Sequence, residues 1–193
     1  MEDKGQNTEK WADFWEGHTP ESEILMWDFF GLRPWILKYT PRYGKVCEAG
    51  CGLGRYVFYL NKLGIDIEGL DFEQETIDFL NIWKTQNGFE KIPFIQGDVT
   101  KLPYKDGSLS GYISLGVVEH FIEGPHLPLS EGYRVLRPGG IAIISTPSVS
   151  WYIIYRDYIK KGLKNLIKTL IGRKIIKPMF FQYWYRPKNL KNS

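Results

Sequence analysis

The most informative segment of the chain runs Val46-Cys47-Glu48-Ala49-Gly50-Cys51-Gly52-Leu53-Gly54-Arg55. Its first residues form the kind of short apolar run that makes a buried strand, and residues 55–63 have a helical pattern. The turn between these elements contains Gly50, Gly52 and Gly54, and residues without a Cβ let the backbone approach a ligand closely. The free N–H groups at the start of the helix attract an anionic group. The segment therefore predicts a strand–turn–helix unit that binds a ligand.

The glycine spacing and the acid before the turn indicate which ligand this unit takes. A dinucleotide fingerprint places its third glycine three residues after the second, so that a pyrophosphate fits there. Here the spacing is Gly-x-Gly-x-Gly, and the carboxylate of Glu48 would repel a diphosphate. An acid at this position suits a ligand with an ammonium group, such as the methionine end of S-adenosylmethionine (AdoMet). A structural tight turn is the alternative for this motif taken alone.

Strand and helix patterns alternate along the rest of the chain up to residue 146. Strands are predicted at 45–49, 66–70, 93–96, 111–115 and 141–146, and helices at 55–63, 73–85 and 126–136. The segment 137–140, Arg-Pro-Gly-Gly, is predicted to stop the last of these helices. The alternation predicts a doubly wound, Rossmann-like three-layer α/β sandwich whose mainly parallel sheet has the order 3-2-1-4-5.

Further acids follow the second and third predicted strands. Asp71 lies where an acid would hold ribose hydroxyls, and Phe72 beside it is placed to stack on adenine. Asp98 would accept a hydrogen bond from an adenine amino group, while the backbone of Val99 reads the ring edge. Each residue alone has a structural alternative: a solvated acid, a core aromatic or a turn aspartate. Their joint position at the carboxyl ends of neighbouring strands favours a cofactor crevice.

Together these motifs resemble those of class I AdoMet-dependent methyltransferases, in the small-molecule group that includes the ubiquinone and menaquinone methyltransferases. The resemblance covers residues 9–150, and its matching stretches are 46–55, 69–72, 96–100, 111–120 and 134–146. It implies that Gly50 and the backbone of Leu115 and Gly116 contact the methionine end of the cofactor. It also implies that the cofactor lies over Glu48, Ala49, Gly50, Gly52, Gly54 and Arg55 and leaves as S-adenosylhomocysteine.

The N-terminal part of the chain is predicted to form a helical lid. A short helix at 9–16 places Trp11, Phe14 and Trp15 on one face. Trp15 would close over the cofactor, with core packing as the alternative. A longer helix is predicted at 23–39, broken before Pro34.

The segment after the fourth predicted strand, 116–120, faces the methyl acceptor. His120 is the best candidate for a general base, because its ordinary pKa lies near neutrality, and Glu119 is a second catalytic candidate. The alternative is that His120 caps or packs a loop. Some quinone-type O-methyltransferases have Glu-Val-x-Glu-His here and bind a divalent metal. This chain has Gly116 in place of the first Glu, so no metal is predicted.

The charge distribution divides the chain into a core at 1–150 and a basic segment at 151–193, which holds 11 of the 25 Lys and Arg but one of the 22 Asp and Glu. Residues 151–172 have the pattern of a basic amphipathic helix. It is predicted to be an acceptor-side cap or a contact with an anionic membrane, with packing on its own domain as the alternative. By this resemblance, the family's C-terminal antiparallel strand pair is predicted to be missing. The fifth strand is therefore expected to be an exposed edge, explained by truncation, by a folded-back helix or by a homodimer.

Composition narrows the function classes further. The two cysteines, Cys47 and Cys51, fit neither a zinc site nor a disulfide framework, and with a polar N-terminus they predict a cytoplasmic protein. An acidic core disfavours nucleic acid as a partner. The sequence thus predicts methyl transfer from AdoMet to a small-molecule acceptor, lipid-like or quinone-like. A non-catalytic AdoMet-binding or partner-binding module is the alternative, and the glycine spacing disfavours a nicotinamide-dependent oxidoreductase.

Overall fold

The computed structural model describes Trp15, residues 17–26 and residues 31–147. The predicted helix at 9–16 lies outside these residues except for Trp15, and the basic segment at 151–193 lies wholly outside them. The elements in chain order are α1 (Pro20–Leu25), α2 (Arg33–Tyr39), β1 (Val46–Ala49), α3 (Arg55–Lys62), β2 (Ile67–Asp71), α4 (Gln74–Gln86), β3 (Phe94–Gln96), β4 (Leu109–Leu115), a 3₁₀ turn (Val118–His120), α5 (His126–Val135) and β5 (Leu136–Ser145).

The five strands form one parallel sheet in the order β3-β2-β1-β4-β5. Val46 of β1 pairs with Ile67 of β2 on one side and with Gly111 of β4 on the other. Central strands of a parallel sheet are covered on both faces, and β1 is accordingly buried at every position. The fold and strand order predicted from the sequence are confirmed.

Two apolar cores lie on the opposite faces of this sheet. Alternate residues of a strand point to opposite faces, so Val46 belongs to one core and Cys47 to the other. The first core contains Ile36 of α2, Phe58 of α3 and Leu80 of α4. The second core contains side chains from α5 and from the segments that flank β4: Val99, Leu102, Phe121 and Val135. The helices on both faces make the three-layer sandwich.

The helix predicted at 23–39 is interrupted before Pro34, as expected, but its bounds differ: α1 (Pro20–Leu25) starts earlier than predicted, and α2 begins only at Arg33. Pro34 does not interrupt α2 but lies in its first turn. A proline is tolerated there because the first N–H groups of a helix have no intrahelical partner and its fixed φ suits the helix.

The predicted boundary between the last helix and the fifth strand is also wrong. Helix α5 ends at Val135 and β5 begins at once with Leu136, which pairs with Leu109. The next register pair is Gly111 with Ile141, so residues 137–140 form a bulge inside the strand rather than a separate turn. Gly139 adopts φ +75° within this bulge.

Among the described residues, β5 is the last strand of the sheet on its side. Two of its apolar residues, Ile141 and Ile144, are more than a third exposed. Within the part of the chain that the structure describes, no strand pairs with the outer edge of β5. No helix among those residues has the length and apolar character needed to cross a membrane.

Candidate cofactor site

The glycine loop between β1 and α3 depends on residues without side chains. Gly50, Gly52 and Gly54 all have positive φ values, of 78°, 50° and 75°. A Cβ on Gly50 would lie 2.4 Å from Cγ2 of Val117, and one on Gly52 would lie 2.3 Å from Cζ2 of Trp15. Any other residue would therefore be both strained and obstructed at these positions.

Glu48 is buried at the end of β1 and caps α3. Its Oε2 accepts a hydrogen bond of 3.1 Å from the N–H of Val57 in the first turn of that helix. The N-cap residue itself, Gly54, has no side chain to accept this bond. Burial raises the pKa of Glu48 to about 8, although the Val57 N–H and Arg55 act in the opposite direction. The role of Glu48 toward an ammonium group stays a prediction, and its capping role is one that the sequence interpretation missed.

Asp71 joins β2 to the glycine loop. Its Oδ2 accepts a 2.8 Å hydrogen bond from the N–H of Gly52, and its Oδ1 accepts one of 3.1 Å from the N–H of Glu73. Burial raises the pKa of the Asp71 carboxyl, and these backbone donors lower it. The structure therefore brings together two of the residues that the sequence assigns to the cofactor, the strand-end acid and the middle glycine of the loop.

The residues after β3 lie beside this junction. The N–H of Gly97 donates a 2.8 Å hydrogen bond to the carbonyl of Asp71. Asp98 forms a local turn, because its Oδ1 accepts hydrogen bonds from the N–H of Thr100 at 2.8 Å and from its hydroxyl at 2.7 Å. The side chain of Val99 is buried in the second core, so only its backbone could contact a ligand. The adenine contacts of Asp98 and Val99 remain predictions.

Phe72 is not a core residue, which removes the structural alternative considered for it. Phe72 is 41% exposed and directly follows Asp71 in the chain. Its carbonyl accepts a 3.2 Å hydrogen bond from the side-chain amide of Gln96, which ties the ends of β2 and β3 together. An exposed ring at this position is consistent with the predicted stacking on adenine, which no contact in the structure tests.

The turn after β4 meets the glycine loop from the other side. Leu115 ends β4, and Gly116 adopts φ +72° and donates a 2.9 Å hydrogen bond to the carbonyl of Ser145. Val117, the next residue, occupies the space beside Gly50. The structure thus places Gly50 and the 115–117 segment next to each other, as the sequence interpretation requires.

The two predicted catalytic residues differ in their surroundings. Glu119 is 1% exposed, and burial raises its pKa to about 7. Its Oε2 is buried and has no hydrogen-bond partner among the described residues, and its Oε1 would lie 3.7 Å from a Cβ on Gly116. His120 is half-buried at the end of the 3₁₀ turn. Among the described residues no His, Cys, Asp and Glu side chains are grouped as a metal ion requires.

Trp15 and Arg55 both belong to the N-terminal boundary of the site. The indole of Trp15 lies against Gly52. Arg55, the first residue of α3, donates a 2.9 Å hydrogen bond from Nε to Oε2 of Glu23 on α1. The sequence interpretation missed Glu23, because no local pattern signals a contact between residues so far apart in the chain.

Comparison with known families shows to which family the chain belongs. A family model described as a methyltransferase domain matches residues 47–144, which is about half of the chain and overlaps every strand of the sheet. The chain belongs to the methyltransferase-domain family. The resemblance to class I methyltransferases that the sequence predicts is therefore confirmed.

Relatives of this methyltransferase-domain chain include a probable S-adenosylmethionine-dependent methyltransferase from Mycolicibacterium smegmatis, 30% identical over 53% of the chain and 38% of that protein. A demethylmenaquinone methyltransferase from Paenarthrobacter aurescens is 33% identical over 62% of the chain and 46% of its own length. The chain thus spans less than half the length of these two relatives. A crystal structure of a Pyrococcus horikoshii protein is similar with a TM-score of 0.57 and 25% identity, over 72% of this chain and 59% of that one.

Proposed function

We propose that the protein is an AdoMet-dependent methyltransferase that methylates a small-molecule acceptor and releases S-adenosylhomocysteine. The observation that carries this proposal is the hydrogen bond between the N–H of Gly52 and the carboxylate of Asp71, which fixes a bare glycine loop beside a strand-end acid. Family membership and a relative named as an S-adenosylmethionine-dependent methyltransferase support it.

The residues present fit the chemistry of AdoMet. Because the loop glycines have no Cβ, Val117 and Trp15 pack directly against the loop backbone, and both side chains would border the methionine portion of the cofactor. Asp71 offers carboxylate oxygens for ribose hydroxyls, and the exposed ring of Phe72 offers a surface for adenine. When bound, AdoMet supplies a methyl group on a sulfonium, which is displaced in line by the acceptor.

The turn after β4 would hold the acceptor and receive its proton. We assign the role of general base to His120, because it is half-buried and a neutral imidazole takes a proton near physiological pH. Glu119 is almost completely buried, so a direct contact with the acceptor is less suited to it than to His120. Its carboxyl lies behind Gly116 and would shape the turn that presents His120.

An apolar, lipid-like or quinone-like acceptor fits the surface next to this turn. Ile122 follows the turn directly and is 53% exposed, and Leu127 in the first turn of α5 is 45% exposed. Exposed apolar side chains beside a binding cleft favour ligands with apolar surface. The relative named demethylmenaquinone methyltransferase agrees with this acceptor class.

Calorimetry with S-adenosylhomocysteine tests the cofactor assignment. The wild-type protein is expected to bind it, and Asp71→Asn is expected to weaken binding by about tenfold or more, because a carboxylate is a stronger acceptor than an amide. A wild-type protein that binds neither AdoMet nor S-adenosylhomocysteine would refute the proposal. Tight binding without methyl transfer to any quinone-like or lipid-like acceptor would instead indicate a non-catalytic AdoMet-binding module.

A further inference from the structure

One buried carboxylate joins the segment that carries Trp15 to the first residue of α3. Glu23 is 2% exposed and uses both of its oxygens. Its Oε1 forms a 2.8 Å hydrogen bond with Nδ1 of His18. Its Oε2 accepts hydrogen bonds from two guanidinium nitrogens of Arg55, the one from Nε at 2.9 Å. Charged hydrogen bonds of this kind are strong when they are shielded from water.

At one end of this link, Trp15 and His18 form a compact turn. The N–H of His18 donates a 2.9 Å hydrogen bond to the carbonyl of Trp15. The two rings meet edge to face, with centroids 6.0 Å apart and planes at 80°. The hydrogen bond of His18 to Glu23 therefore also helps to position the indole, which lies against Gly52.

At the other end, Arg55 directly follows the glycine loop. Gly54 precedes it with φ +75°, and Gly52 is held to Asp71 by its N–H. Because the guanidinium of Arg55 binds Glu23 on α1, this interaction fixes the position of α1 relative to the loop. The two ends of the Glu23 link thus both reach the loop, one through Trp15 and one through the start of α3.

We propose that Glu23 is a positioning residue for the cofactor site, because its carboxylate holds Trp15 at the Gly52 face of the glycine loop. This inference rests on the proposed function, in which Trp15 forms one wall of the AdoMet cleft. Loss of the carboxylate removes the acceptor that His18 and Arg55 share, so the Trp15–His18 turn loses its hydrogen bond to α1 and the indole is held less firmly at Gly52. The cleft then loses a preorganised wall, and cofactor affinity falls.

The matched pair Glu23→Gln and Glu21→Gln tests this role. Both residues lie on α1, and Glu21 also anchors that helix, because its Oε1 accepts a 2.6 Å hydrogen bond from Nε1 of Trp83. Glu23→Gln is expected to weaken S-adenosylhomocysteine binding by about tenfold in calorimetry. Glu21→Gln is expected to lower the thermal stability while leaving that affinity unchanged.

The fluorescence of Trp15 is a second measurement, and a general loss of stability is not expected to change its response to S-adenosylhomocysteine. The contribution of Trp15 is the difference in emission between each protein and the same protein with Trp15→Phe. In the wild type this difference signal is expected to change when S-adenosylhomocysteine is added, because the indole borders the glycine loop. In Glu23→Gln the change is expected to be lost or strongly reduced, and in Glu21→Gln it is expected to be retained.

A second variant keeps the test decisive if Glu23→Gln does not fold. His18 is 41% exposed, so His18→Ala removes one end of the link at little cost to the core. It is expected to weaken binding by about threefold and to reduce the Trp15 signal. If Glu23→Gln and His18→Ala, or whichever of them folds, kept the wild-type affinity and the wild-type Trp15 signal, the inference would be overturned while the proposed function stood. A loss of affinity in Glu21→Gln equal to that in Glu23→Gln would overturn it in the same way. A wild-type protein that binds no S-adenosylhomocysteine would overturn the proposed function and this inference with it.

Discussion

The buried carboxyl of Glu48 predicts a specific pH dependence of stability. Its pKa is raised from 4.5 to about 8, chiefly because burial disfavours the charged form. Between these values the folded protein retains a proton that the unfolded chain releases, so the free energy of unfolding falls as the pH rises through this window. The full difference is worth about 5 kcal/mol at most.

The variant Glu48→Gln isolates this contribution. Glutamine has the same size, and its carbonyl oxygen can still accept the hydrogen bond from the N–H of Val57. At about pH 5 the two proteins are expected to unfold at similar urea concentrations, because Glu48 is then protonated in the folded state. At about pH 9 the variant is expected to be more stable by about 4 kcal/mol.

Urea unfolding followed by tryptophan fluorescence at both pH values measures the effect. Glu119, whose pKa is also raised by burial, contributes to the pH dependence of both proteins and cancels in the comparison. Parallel pH profiles for the wild type and Glu48→Gln would refute the reasoning, since the carboxyl of Glu48 would then not be protonated in the fold near neutrality. A variant that is less stable at both pH values would show that the charge of Glu48 stabilises α3.

Two further predictions concern the glycine loop and the basic segment. Gly50→Ala is expected to destabilise the fold by about 1–3 kcal/mol in urea and to weaken S-adenosylhomocysteine binding, because its φ is +78° and its Cβ would press on Val117. Unchanged stability would contradict the described loop geometry. If residues 151–172 contact membranes, the protein is expected to float with anionic vesicles at low salt and to dissociate at high salt. The absence of flotation at low salt would remove that proposal.

The sheet could be predicted from the sequence because its signals are local. Each strand is a short apolar run, and each predicted crossover helix begins or ends near a glycine or a proline. The same locality made Asp71 predictable, since an acid at the end of a strand in an alternating α/β pattern meets the loop of the neighbouring strand. The order of the strands then follows from the handedness of the crossovers.

What the sequence did not predict depends on contacts between distant segments or on geometry inside one element. Glu23 looks like an ordinary helix acid until α1 packs on α3 and brings it to Arg55. Glu48 looks like a ligand group alone until the structure shows the helix start that it caps. The bulge at 137–140 has the composition of a terminating turn, and only pairing with β4 shows that the strand continues through it.

The contact between Gly50 and Val117 has a consequence for the order of events at the site. If a bound nucleoside displaced the glycine loop, the contact with Val117 would pass part of that displacement to the turn that ends at His120. Occupancy of the cofactor side would then alter the shape of the acceptor side. By thermodynamic linkage, the cofactor and the acceptor would then change each other's affinity by the same factor. The affinity for either one would depend on whether the other is bound.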